Sequence, residues 1–355
     1  MFVERNGTRL VLGADPFFAE GFNCYFLAFC SDAVRRTTLR TAKELGANTV
    51  RSWAFLDSAA PHTGQVCFQY RTGDKIRQQD GPDGLGRLDQ LISAAEEMEL
   101  KLILPLVNYW GDFGGVPMYL DWLGVSREDP SEFFRSERAR AAFKSWIDHL
   151  LSRRNILTGR LYCEEPAILA WELANEPRCF GERGREVLSD WFGQMSEFLK
   201  DRDSNHLLAT GDEGFFHRNA RSHLYNGTYG VDFEAVLRLP GIDFGTFHMY
   251  FEPWGESVAS RFAHTWISDH LRAGVKAGKP VLLEEFGVSY GDCPGITPEA
   301  RRGLYREWTQ FMQTEGGAGA LVWMLGSNSP EVCGFRDRYT VHGPDLVDTA
   351  EAETS

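Results

Sequence analysis

Short apolar runs recur along this 355-residue chain, and each is followed by a stretch whose apolar residues fall at helical spacing. The runs at 21–25, 48–53, 102–108, 168–170, 207–211, 244–250, 281–285 and 320–324 are too short and too apolar for anything but buried strands. Between them, a helix is predicted over 32–46. Leu85, Leu88, Leu91, Ile92, Ala95 and Met98 mark a second, and Phe143, Trp146, Ile147, Leu150 and Leu151 a third. Val187, Leu188, Trp191, Phe192, Met195, Phe198 and Leu199 mark the helix after the fourth strand. Eight strands alternating with helices predict a closed parallel sheet, a (β/α)8 barrel of the TIM type. Residues 1–16 read as an N-terminal β-hairpin turning at Asn6-Gly7, which would plug one end of the barrel. Residues 54–83 show no period and read as a long loop. The tail, 345–355, is short and polar, so the last barrel helix is expected to be abbreviated. No linker or composition break divides the chain, which predicts a single catalytic domain over 1–355.

Composition narrows the partners. A net charge of −13 argues against nucleic acid or an anionic membrane surface, and no apolar run approaches the ~20 residues of a membrane span. No obligate protein partner is evident. The N-terminus lacks a basic region followed by an apolar one, which predicts a cytoplasmic protein, or a secreted one if the sequence is a processed mature form. Seven cysteines show no CxxC pair and no metal-type spacing. Ten tryptophans are more than a core requires and are compatible with platforms on which sugars stack.

The chemistry gathers where strands end. After 168–170 the chain reads Trp171-Glu172-Leu173-Ala174-Asn175-Glu176-Pro177-Arg178; Pro177 forbids a helix and is expected to hold Glu176 extended. The stretch 280–287 repeats the design: a buried strand, then Glu284 and Glu285. Ligands bind at this edge of a parallel barrel. Counting alternate residues, Glu285 shares a face with Val281 and Leu283, Glu176 with Ala170 and Glu172, Arg51 with Thr49 and Trp53, and His248 with Thr246 and Tyr250. Glu284 falls on the opposite face and is expected to point at the helices, whereas Glu172 should hydrogen-bond inside the barrel. Trp323 ends the eighth strand. Two carboxylates facing one cavity suit glycoside hydrolysis, in which one protonates the leaving oxygen and the other attacks the anomeric carbon. No trio of carboxylates or histidines suggests a metal, so no metal and no cofactor is expected. A sugar-binding barrel without turnover is the reading from a different class. His62, His149, His206 and His264 show no partner pattern and are expected to be structural.

The text Trp-Glu-Leu-Ala-Asn-Glu-Pro-Arg at 171–178, His-Met-Tyr at 248–250 and Leu-Glu-Glu-Phe-Gly at 283–287 resembles, in order, the motifs of glycoside hydrolase family 5. Residues 81–85, 108–115, 158–159 and 211–216 are similar to its β-mannanase branch (mannan endo-1,4-β-mannosidase), and the likeness runs from about Phe17 to Tyr339. The resemblance implies a retaining, double-displacement glycosidase acting on β-1,4 linkages of mannan or manno-oligosaccharides. It implies Glu176 as acid/base and Glu285 as nucleophile, Asn175 bonding the sugar 2-hydroxyl, and Arg51 holding Glu285 ionised. The Glu285 anion would then raise the proton affinity of Glu176. His248 and Tyr250 look like the pair that positions the acids, Trp323 like the platform beneath the reacting sugar. Asn108, Trp110, Arg178, Glu213 and Trp254 are expected around the neighbouring sugars. An exo-acting β-mannosidase or a β-glucan-cleaving relative are the alternatives. The branch resembled is mostly secreted and often disulfide-bonded, whereas this chain shows no export signal and an odd cysteine count.

Overall fold

The computed structural model describes residues 1–59, 64–258 and 261–346, so His62 lies outside the described residues. Eight parallel strands form one sheet: β1 (Ala19–Asn23), β2 (Thr49–Arg51), β3 (Lys101–Pro105), β4 (Ile168–Glu172), β5 (Leu207–Ala209), β6 (Gly245–Met249), β7 (Val281–Phe286) and β8 (Gly319–Val322). They pair in the order β5-β4-β3-β2-β1-β8-β7-β6. The seam between β5 and β6 is bridged by Asp243 N–H donating to Leu208 O at 2.8 Å and His248 N–H to Glu213 O at 3.2 Å. The helices that follow the strands are α1 (Asp32–Glu44), α2 (Gly86–Glu97), α3 (Glu137–Ser152), α4 (Gly184–Lys200), α5 (Phe233–Val236), α6 (Phe262–Ala277), α7 (Pro298–Thr314) and α8 (Gly343–Leu346). Among the described residues the last is a single turn, and the rest of the polar tail, from residue 347, lies outside them. This is the (β/α)8 barrel.

The period-2 alternation sorts strand side chains into two layers. Val50, Leu102, Leu104, Phe247, Leu283 and Val322 pack outward into the large core beneath the helices. There α3 buries Phe143, Trp146, Ile147 and Leu150 along one stripe, each worth roughly 1.5–3 kcal/mol of apolar burial. Ile103, Leu169, Ala170, Leu207, Ala209, Leu282 and Leu321 form a second cluster with Val3 and Leu10, inside the barrel. The residues 1–16 hairpin thus closes the N-terminal end. It gains a third strand, Asp15–Phe17, beyond the two expected. Toward the C-terminal end the interior turns polar: Arg51, Glu172, His248 and Glu284 are fully buried.

The described residues of 54–83 are more ordered than a loop. Asp57–Ser58, Gln69–Thr72 and Lys75–Gln78 form a small sheet, turning at Gly73 with φ 58°. Its strands are short and rich in charge, so no apolar alternation announces them. All seven cysteines are free, and no helix among the described residues is long and apolar enough to cross a membrane.

Candidate active site

Arg51, at the end of β2, is the hub. It is fully buried, and its guanidinium donates to Glu172 at 2.9 Å, Glu285 at 2.5 Å, Asn175 Oδ1 at 2.8 Å and Asn23 Oδ1 at 3.2 Å, with Glu284 at 3.5 Å. A buried cation survives only when its donors are used this fully. Asn175 is fixed in turn by donating to Asn108 Oδ1 at 3.0 Å.

Unbroken alternation would have sent Glu285 outward, because Leu283 packs in the helix-facing core and Leu282 in the barrel interior. β7 breaks its register. Phe247 pairs with Leu283 but His248 pairs with Glu285, so Glu284 is an extra residue, and the ladder to β8 shifts over the same stretch. A bulge puts two consecutive residues opposite one and re-aims their side chains. Glu284 therefore does not face the helices, as parity counting expected. It lies inside, 3.3 Å from His248 Nε2, while Glu285 still reaches the cavity.

Glu176 also departs from expectation. It is not extended: its φ is +48°, in the left-handed region that non-glycine residues seldom occupy. Tertiary bonds override the local preference imposed by Pro177. Glu176 N–H donates to Gly211 O at 2.9 Å, and its carboxylate accepts from Trp110 Nε1 at 2.6 Å and meets His248 Nδ1 at 2.8 Å. Gly211 permits this close approach, since a Cβ there would stand 2.1 Å from Ala174 O.

His248 decides the electrostatics. Burial disfavours its charge, but Glu285, Glu176 and Glu284 together hold its proton affinity well above the ordinary histidine range. For Glu176, burial pushes upward, yet the hydrogen bond and charge of His248, with Arg178 and Trp110, hold it at about 2. Glu285 is raised, by burial and by the Glu176 charge, against the opposing pull of His248 and Arg51. The sequence reading expected the reverse, with the Glu285 anion lifting Glu176. In the free site the proton rests on His248, between the two acids. Tyr250 donates to Glu285 at 2.6 Å, and burial beside two anions keeps its phenol protonated.

Glu176, His248 and Glu285 offer ligand atoms all within 4.8 Å of one another, a trio the sequence did not reveal. All three have other partners, and the permanent cation of Arg51 against Glu285 stands where a metal's charge would otherwise be needed. The trio therefore suits proton transfer better than metal binding.

The acids open into a cleft of about 730 Å³. Of the residues predicted from sequence, Asn108, Trp110, Asn175, Glu176, Arg178, Glu213, Tyr250, Trp254, Glu285 and Trp323 line it, while Arg51 and His248 lie buried beneath its floor. Arg178 is bound through two 2.7 Å bonds to Glu213 and lies over the Tyr229 and Trp110 rings at 4.5 and 5.0 Å. Trp254 is mostly buried and packs edge-on to Tyr250 at 6.2 Å. Trp323 donates Nε1–H to Asp337 at 2.7 Å and stacks on Tyr25, which stacks on Trp53. Tyr25, Tyr229 and Asp337 were not singled out from sequence, and Trp53 was placed only on the same face as Arg51. The surplus of aromatics was the only available signal for Tyr25 and Tyr229. His149, His206 and His264 meet Asp80, Asp203 and Glu307 away from the cleft, consistent with structural roles.

A family model described as GH family 5 beta-mannosidase-like matches residues 1–294. Mannan endo-1,4-beta-mannosidase A of Podospora anserina is 35% identical over 339 residues, covering 95% of this chain and 86% of its own length. A probable mannan endo-1,4-beta-mannosidase A-1 of Aspergillus terreus is 36% identical, covering 92% and 79%. Among solved structures, the endo-1,4-beta-mannanase of Rhizomucor miehei superposes with a TM-score of 0.89 at 35% identity, covering 100% of this chain and 97% of that one. An endo-1,4-beta-D-mannanase of Thermotoga petrophila gives 0.80 at 34%, covering 95% and 98%. With both acids on strand ends of the same barrel, the chain belongs to the β-mannosidase-like proteins of glycoside hydrolase family 5.

Proposed function

We propose that this protein is an endo-acting β-mannanase that cleaves β-1,4-mannosidic linkages with retention of configuration. The observation that supports it most is the pairing across the cleft. The nearest oxygens of Glu176 and Glu285 lie within 4.8 Å, one carboxyl 2.8 Å from the His248 imidazole and the other against the permanent cation of Arg51. Retaining enzymes hold their carboxyl groups ~5–5.5 Å apart, whereas inverting enzymes leave ~6.5–9.5 Å for a water. Endo action is favoured because the relatives from Podospora anserina and Rhizomucor miehei are named as endo-acting on mannan, and because the cleft lining extends beyond the acids to Trp323, Asp337, Arg178 and Tyr229.

The charges suggest how the steps are coupled. Glu285 attacks the anomeric carbon and its negative charge passes into the new glycosyl–ester bond. His248 then loses the largest contribution to its raised proton affinity. Its proton moves along the 2.8 Å contact to Glu176, which protonates the departing sugar oxygen. In the second step Glu176 takes a proton from water, hydroxide displaces Glu285, and the proton returns to the imidazole. Asn175 would bond the 2-hydroxyl and Trp323 would lie beneath the reacting sugar.

A product time course on mannohexaose tests the reading. Mid-sized products appearing together from the start are expected. Steady release of mannose alone would favour an exo-acting β-mannosidase, and turnover of β-glucan but not mannan would replace the substrate.

A further inference from the structure

Beneath the two acids lies a second pair of carboxyls that the reaction scheme does not use. Glu172 and Glu284 are both fully buried, and together with Glu176 and Glu285 they put four carboxyls around two cations, Arg51 and His248. The lower pair is bonded asymmetrically. One oxygen of Glu172 accepts from Arg51 Nε at 2.9 Å. One oxygen of Glu284 faces His248 Nε2 at 3.3 Å and Arg51 Nη2 at 3.5 Å. The remaining oxygens, Oε1 of each, are buried and find no hydrogen-bond donor, so two acceptor-only groups are left unsatisfied beside the same guanidinium. Two carboxylates cannot bond face to face, because both only accept. One proton must lie between them, or like charges would repel in a site without solvent.

We propose that Glu172 is a carboxylic acid at working pH, donating its proton to Glu284, and that Glu284 is thereby the fixed anion that holds His248 charged from its Nε2 side. The assignment of the proton to Glu172 follows from the partners. Glu284 touches both cations, whereas Glu172 touches only Arg51, so the anion is better placed on Glu284. The proton affinities run the same way: burial and Glu284 raise Glu172 far above a normal carboxyl, whereas Arg51, Glu172 and His248 bring Glu284 down against its burial. The other groups facing this pair do not change the balance. Arg51 of β2 remains charged, and Glu285 of β7 is engaged by Arg51 and Tyr250. Asp212, after β5, is pushed up to about 6 by burial and is occupied by Thr210 and Gly214 N–H. Glu284 and Glu172 are positioning residues on this view, acting on the leaving-group proton through His248.

This rests on Glu176 being the acid/base fed by His248, so the experiment separates the two. The pH dependence of kcat/KM on an aryl mannoside is measured for the parent, Glu284→Gln, Glu172→Gln and Glu176→Gln. Removing the Glu284 anion lowers the proton affinity of the His248–Glu176 pair, so Glu284→Gln moves the alkaline limb down by about one pH unit. Glu172→Gln leaves that limb in place, because its amide N–H donates to Glu284 as the carboxylic O–H did, while its amide oxygen still accepts from Arg51. Infrared difference spectra of Glu172→Gln against the parent at neutral pH lose one protonated-carboxyl band. The proposal is overturned if Glu172→Gln moves the limb as far as Glu284→Gln, or if no such band is lost. Retention of the alkaline limb in Glu176→Gln would sink the acid/base reading alone. The infrared result decides the Glu172 proton independently of it and of whether Glu284→Gln folds.

Discussion

The two strand ends that supply the acids solve one problem by opposite means. At the end of β4 the chain leaves the sheet, and Glu176 is held beyond it on a left-handed residue. Its partners are the Trp110 indole N–H and the titratable imidazole of His248. At β7 the acid stays within the strand, and a bulge turns it inward against Arg51, a cation that never deprotonates. The difference matches the tasks proposed for them: the proposed acid/base, which changes its proton twice per turnover, sits next to a titratable neighbour, and the proposed nucleophile sits next to a permanent charge. Backbone irregularity marks both, which is where local rules are expected to give way to function.

Mutations can break this contrast, beginning with the greatest loss. Glu285→Gln is expected to abolish turnover on every substrate, since no nucleophile remains; full activity on any of them would move the nucleophile elsewhere. Glu176→Gln should lose on the order of 10²–10⁴-fold on mannan, yet still form the glycosyl-enzyme from an aryl mannoside whose leaving group needs no proton. On that substrate its alkaline limb should vanish. Stopped-flow release of the aryl group would expose the difference between the two variants.

Arg178→Ala should cost about 1.5–3 kcal/mol in kcat/KM on mannotetraose and little on an aryl mannoside that does not reach the site. It would also leave Glu213 buried without its partner, so the melting temperature should fall. An equal loss on both substrates would make Arg178 a loop support and nothing more. The smallest effect is expected from Trp110→Phe. Deleting the N–H that favours the Glu176 anion raises the proton affinity of the His248–Glu176 pair, moving the alkaline limb upward by roughly a few tenths of a pH unit. A downward shift would contradict that sign.

Much of this is legible in the sequence. Strands of a parallel barrel are apolar on both faces, so their runs stand out, and 102–108 or 244–250 miss the observed ends by only a few residues. Arg51 and His248 fell on the inner face because β2 and β6 keep their pleat up to those residues. Glu284 did not, because alternation counted along one strand cannot register an extra residue that only the neighbouring strands reveal. Glu176 was read as extended from Pro177 alone, whereas Gly211, Trp110 and His248, all distant in sequence, set its backbone. The proton on His248 was equally hidden, since it depends on three carboxylates converging from β4 and β7. Tyr25, opening the short 3-10 helix Tyr25–Ala28, and Tyr229, in the long connection after β5, reach the cleft along courses fixed by packing and not by any period.

Two adjacent glutamates of β7, Glu284 and Glu285, point inward, and only one of them can bond to the sugar. A 2-deoxy-2-fluoro mannoside with a good leaving group traps the glycosyl-enzyme, and fragmentation of the labelled peptide resolves neighbouring residues. The label is expected on Glu285. A label on Glu284, or on Glu176, would contradict the division of roles between the two strand ends.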